Sequence, residues 1–161
     1  MIDVNKAASY IFNRYNAEFN TKIDEMKLHK LLYFTQRECI IMLGEPMFSA
    51  EFSAWRYGPV LTQIRDCYKW NSFILELTEE ELAKYKPVFD SVFANYANRN
   101  SWSLSMLSHG ELSWQRARMN VPQDANCEVK MKLEDIEADA ERIRLRRFYF
   151  DEILPEINNA N

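Results

Sequence analysis

The segment Glu25–Leu43 restricts the fold more than any other part of the chain. Leu28, Leu31, Leu32, Thr35, Cys39, Met42 and Leu43 recur at helical spacing along one stripe, and Tyr33, Phe34, Ile40 and Ile41 widen it over most of the circumference. Asp24 precedes the run as an N-cap, Gly44 follows at the C′ position and Pro46 lies just beyond. A helix that is apolar nearly all round has little face to offer to water, so other elements must enclose it. The remaining sequence is therefore read as a wrap around this helix.

The wrap is predicted to be mainly helical. Apolar positions at three- and four-residue spacing predict a helix over 4–15, capped by Asp3. An extended piece is expected near 51–56. Gly58-Pro59 reads as a break, with Pro59 at the first position of a helix running over 60–69. Thr78-Glu79-Glu80-Glu81 has the form of a capping box. The helix it opens is expected to stop near Lys86, with Pro87 starting another that runs to about Asn98. Ser101 is expected to cap a short helix ending at Gly110, and Trp114 to Met119 to add another turn or two. Cys127 to Met131 alternates like a short strand, and a last helix is expected over 133–153, acidic in its first half and basic in its second. The expected fold class is a mainly α, compact single-domain fold around a central apolar helix, with two or three short β-strands at most. The domain is set at residues 1–154, with a flexible tail at 155–161.

Composition narrows the function. With 47% apolar and 14% aromatic residues, 161 residues suffice for one core. The net charge of -4 argues against a sequence-independent grip on nucleic acid, which needs surplus Lys and Arg. Arg142, Arg144, Arg146 and Arg147 are the best candidates for such a patch, but only Arg142 and Arg146 share a helix face. Three glycines leave no Gly-rich phosphate loop. Cys39, Cys67 and Cys127 form no Cys-x-x-Cys pair, and Cys39 and Cys67 fall on apolar faces where a thiol is inert. His109-x-Glu111 matches half of a zinc deaminase signature, but the required cysteine pair is missing. No Gly-x-Ser-x-Gly elbow occurs. His29 is expected to be partly solvated, and His109 to bond the last carbonyls of its helix. No catalytic residue, cofactor or metal is therefore assigned. No apolar stretch is long enough to span a bilayer and Met1–Lys6 does not open a leader, so a cytoplasmic location is expected.

Two segments go beyond generic helix. One is Lys27-Leu28-His29-Lys30-Leu31-Leu32-Tyr33, continuing to Phe52 and Ala54-Trp55-Arg56-Tyr57-Gly58-Pro59-Val60. The other is Leu104-Ser105-Met106-Leu107-Ser108-His109-Gly110-Glu111-Leu112-Ser113-Trp114. Together they resemble the Panacea antitoxin domain, also described as SocA-like or phage-associated GepA-like. Ser108 stands where that family usually has Thr, and Ser113 where Pro often precedes the Trp. The resemblance implies a non-catalytic antitoxin that binds and neutralises a cognate toxin protein. The runner-up it implies is a proteolysis adaptor that delivers the toxin to an AAA+ protease, and an uncharacterised small enzyme is a third reading from another class. The family-like residues are Lys30, Tyr33, Trp55, Tyr57, Gly58, Pro59, His109 and Trp114. Packing is the first expectation for Trp55, Tyr57 and Trp114. Lys30, Tyr33, Tyr57 and His109 are expected to form one polar pocket, in which Lys30 must snorkel or find a carboxylate or carbonyl. Trp70, Phe73 and Trp102 lie near expected loops and are candidates for exposed partner anchors.

Overall fold

The computed structural model describes residues 1–155. Most of the tail expected at 155–161 lies outside the described residues. The elements are α1 (Val4–Phe19), α2 (Glu25–Leu43), β1 (Ser53–Trp55), β2 (Gly58–Val60), α3 (Thr62–Trp70), α4 (Glu79–Val92), α5 (Ser101–His109), α6 (Leu112–Ala117) and α7 (Leu133–Phe148). One turn of π-helix extends α4 at Phe93–Ala97, and another extends α7 at Tyr149–Ile153. The fold is mainly helical, as expected, with a single two-stranded sheet among the described residues.

Helix α2 is the axis. It packs against α1, α4, α5, α7 and β2, and every residue from Lys27 to Cys39 is buried. Leu28, Leu31 and Leu32 are fully enclosed, each stabilising the fold by about 1.5–3 kcal/mol. Asp24 accepts the Lys27 N–H and Gly44 closes the helix at φ 73°, the left-handed geometry that glycine adopts without strain. The Thr78–Glu81 capping box forms in both directions.

Several boundaries differ from expectation. Helix α1 runs to Phe19, because Asn20 in the left-handed region supplies the stop. The cap of α5 is Asn100, whose side chain accepts the Ser103 N–H. Pro87 does not end a helix but lies inside α4. Pro87 and Ala83, whose carbonyl loses its amide partner, both face solvent, while Tyr85, Val88, Phe89 and Val92 are buried and carry the helix through.

Gly58-Pro59 does not start a helix either. It forms β2, which pairs with β1 through a two-residue turn at Arg56-Tyr57, and α3 begins only at Thr62. Pro59 lies opposite Ala54, whose own N–H crosses the other edge of β1 to the Val129 carbonyl (2.9 Å). The ladder therefore asks nothing of the proline nitrogen, and an edge position is where a sheet tolerates proline. Cys127–Met131 is not a full strand, although Val129 and Met131 both bond to the β1 side. Leu31→Ala should destabilise the protein by about 2–5 kcal/mol, the cost of a large-to-small change at an enclosed site, read from urea unfolding midpoints.

Candidate functional site

The two family-like segments meet at the β1–β2 hairpin. Gly58 has φ 103°, and a Cβ there would come within 2.3 Å of Ser108 Oγ and 2.6 Å of Lys30 Cε. The hairpin thus touches α2 and α5 at a spot where only glycine fits. The Lys30 ammonium donates to the Pro59 carbonyl (3.2 Å), so it has found a carbonyl rather than snorkelled. At 1% exposure, burial pulls its pKa down to about 7. Ser105 Oγ donates to the Tyr57 carbonyl (2.9 Å), and Ser108 Oγ to that of Ser105 (2.7 Å). From α6, Trp114 Nε1 donates to the Trp55 carbonyl (2.9 Å), and Arg118 donates to that of Ala54 (2.9 Å).

A pocket of 260 Å³ opens beside the hairpin, lined by His29, Lys30, Trp55, Arg56, Tyr57 and Arg65 among others. His29 is buried, not partly solvated as expected, and burial lowers its pKa. Its Nδ1 accepts the Leu61 N–H (3.3 Å), so in the neutral ring the proton resides on Nε2. That atom lies 3.7 Å from Glu25 Oε1, beyond hydrogen-bond length. Trp55 Nε1 is also buried without a partner. Arg65 donates to Glu25 (2.8 Å) and stacks over the Trp55 ring. His29 and Arg65 together hold the Glu25 carboxyl down at about 2. Outside the pocket, Tyr57 meets Trp102 edge to face, with ring centres 5.3 Å apart. Tyr57, Trp102 and nearby Met106 are 42%, 60% and 68% exposed.

The expected pocket of Lys30, Tyr33, Tyr57 and His109 is not one pocket. Lys30 and Tyr57 line the cavity just described, whereas Tyr33 joins a separate network one helical turn further along α2. Its hydroxyl is 3.0 Å from Ser113 Oγ, 3.3 Å from Asp139 and 3.4 Å from Glu111. Asp139, wholly buried on α7, accepts the N–H groups of Leu112 (2.7 Å) and Ser113 (2.9 Å) at the start of α6. Arg37 pairs with Glu111 and donates to Tyr96 (2.7 Å). Burial pushes Glu111 up to about 7, with the Arg37 guanidinium pulling the other way. Sequence reasoning missed Arg37, Glu111, Ser113 and Asp139 as a unit. The available signal was the adjacent charged pair Arg37-Glu38 inside the central helix.

The other expectations divide. His109 does not bond the end of its helix through its ring. It stacks on buried Trp114, with centres 4.1 Å apart, and its Nε2 has no partner. Trp70 is exposed, as is Trp102, but Phe73 is buried and stacked on Phe12 (4.2 Å), so it is not an exposed anchor. Its ring folds back onto Phe12 of α1 and Tyr68 of α3, while neighbouring Ile74 and Leu75 stay exposed. Burial raises the Cys39 thiol to about 12, far from a reactive thiolate. Among the described residues no His, Cys, Asp or Glu group could hold a metal ion, and no helix is long and apolar enough to cross a membrane.

The hairpin is clasped between α2 and α5, with Tyr57 exposed at its tip and Trp102 exposed beside it on α5. Residues 28–115 match the family described as antitoxin SocA-like, Panacea domain, and the chain belongs to that family. Over 70 residues it is 29% identical to the antitoxin SocA of Caulobacter vibrioides (strain NA1000 / CB15N). That alignment covers 44% of this chain and 37% of the relative. No solved structure matches the chain.

Two outcomes test this geometry. Lys30 falls from an ordinary 10.5 to about 7 in the folded chain. Between those values the unfolded chain holds the proton that the folded chain releases, so this group makes stability rise with pH above about 7. Lys30→Met should remove that rise, and melts of both proteins at neutral and mildly alkaline pH should show the wild type gaining on the variant. Arg37→Met should destabilise the protein increasingly as pH rises above about 7 in denaturant titrations, because without the guanidinium the buried Glu111 carboxyl, already held up at about 7, ionises still less readily.

Proposed function

We propose that this chain is an antitoxin that neutralises a protein toxin by binding it directly, using the hairpin tip and the adjoining face of α5. One observation carries this reading: Tyr57 stays exposed on a hairpin fastened to the core by Lys30, Ser105 and Trp114, and Trp102 and Met106 stay exposed on α5 beside it. Large aromatic side chains on a rigid mount make strong anchors, since little conformational freedom is lost when a partner covers them. A standard interface buries about 800 Å² on each side, so the patch would form its centre rather than its whole extent. The family membership supports the role, and the relative named an antitoxin shares the matched segment. The reading sets the encounter in the cytoplasm.

The test is co-expression with the product of the neighbouring gene. The chain should restore growth and co-purify with that product. A Tyr57→Ala/Trp102→Ala double variant should lose rescue while melting within a few degrees of the wild type. Full rescue by the double variant would move the contact surface elsewhere, and absence of both rescue and complex would refute the antitoxin reading. Toxin half-life in the same cells distinguishes blocking from delivery to a protease: an unchanged half-life marks direct inhibition.

A further inference from the structure

We infer that the pocket beside the hairpin receives a carboxylate, supplied by an Asp or Glu side chain of the bound toxin. This rests on the reading that the hairpin face is the contact surface. Three residues of the pocket wall carry unused donors. Trp55 Nε1 is donor-only, buried and unpartnered. His29 Nε2 carries the ring proton, because Nδ1 already accepts from Leu61, and Glu25 Oε1 at 3.7 Å is beyond hydrogen-bond length. Lys30, itself buried, has one hydrogen bond, to Pro59, for three N–H groups. Proteins rarely leave buried donors unmatched, and unused donors on residues that line one cavity suit an acceptor from outside the chain.

Charge selects the kind of acceptor. Arg56 and Arg65, together with Lys30 when it is protonated, line this cavity against the one carboxylate of Glu25, which Arg65 already engages at 2.8 Å. A chain of net charge -4 thus gathers a basic excess around this pocket. Size selects the source. At 260 Å³ the cavity is below the roughly 300–1,000 Å³ typical of small-molecule sites, yet it has room for one side chain. Tyr57 joins the cavity to the aromatic patch, so a protein lying on Tyr57 and Trp102 could insert an acidic side chain beside them.

The test uses the whole chain, labelled with nitrogen-15, and the indole N–H signals of its four tryptophans. The Trp55 signal is the one lost in Trp55→Phe. The probes are glutamate and glutamine, each acetylated and amidated at the backbone, and inorganic phosphate. Capped glutamate should shift the Trp55 signal saturably in the millimolar range, at least about tenfold more tightly than capped glutamine. Lys30→Met should abolish that shift while the remaining spectrum stays folded. Absence of a saturable shift, equal binding of capped glutamine, or tighter binding of phosphate would each overturn the assignment. Co-expression separates the two readings. Rescue that depends on Tyr57 and Trp102 but survives both Trp55→Phe and Lys30→Met would leave the antitoxin role intact and remove the carboxylate.

Discussion

Everything in this structure depends on finding partners for the polar groups of a helix that has been taken out of water. From Lys27 to Cys39, α2 has no solvent face, yet it carries Lys27, His29, Lys30, Gln36, Arg37 and Glu38. Burial of such groups is strongly unfavourable unless they are hydrogen-bonded, and their partners lie on different parts of the wrap, with His29 Nε2, Thr35 Oγ1 and Arg37 Nε left over. Lys27 reaches Tyr15 on α1, Lys30 the hairpin, Gln36 the Met47–Phe48 backbone, and Arg37 the α5–α6 turn. Glu38 accepts from Ser91 on α4 and is bridged by Arg147 on α7. The leucines supply the drive to collapse, and the polar groups determine which segment lies where. Apolar contacts alone would tolerate neighbouring registers, whereas a stranded buried charge does not.

The same logic explains why the two family-like segments travel together. Neither is a site alone. Gly58 must lack a side chain because Ser108 and Lys30 already occupy that space. Ser105 and Trp114 hold the hairpin backbone from the other side. The motif is thus the trace, in sequence, of a three-way junction whose external surface is the tip at Arg56-Tyr57.

How much of this was legible in the sequence follows from the range of the interactions. The limits of α2, its two caps and the Thr78 capping box are set by residues within four positions of one another, and they were readable. So was the need for Lys30 to find a partner, though not which one. Gly58-Pro59 was misread because proline opens helices and also sits at sheet edges. Only the distant Val129 carbonyl, which takes the Ala54 N–H, selects the second role. The Tyr33, Arg37, Glu111 and Asp139 network was hidden because its members come from α2, the α5–α6 turn and α7, and no local pattern links them. Phe73 looked like a loop residue and was one, but its ring stacks on Phe12, a tertiary contact that loop composition does not report.

Asp139 has one more consequence. The six-residue helix α6 is far too short to hold itself together in water, and its first amides are held by a carboxylate from α7. Trp114, the last landmark of the recognisable motif, therefore owes its position to a helix that begins at Leu133, beyond the residue 115 at which the family match stops. The unit that evolution marks and the unit that folds are not the same length. A fragment trimmed to the homologous stretch would lose the brace that keeps its own signature in place.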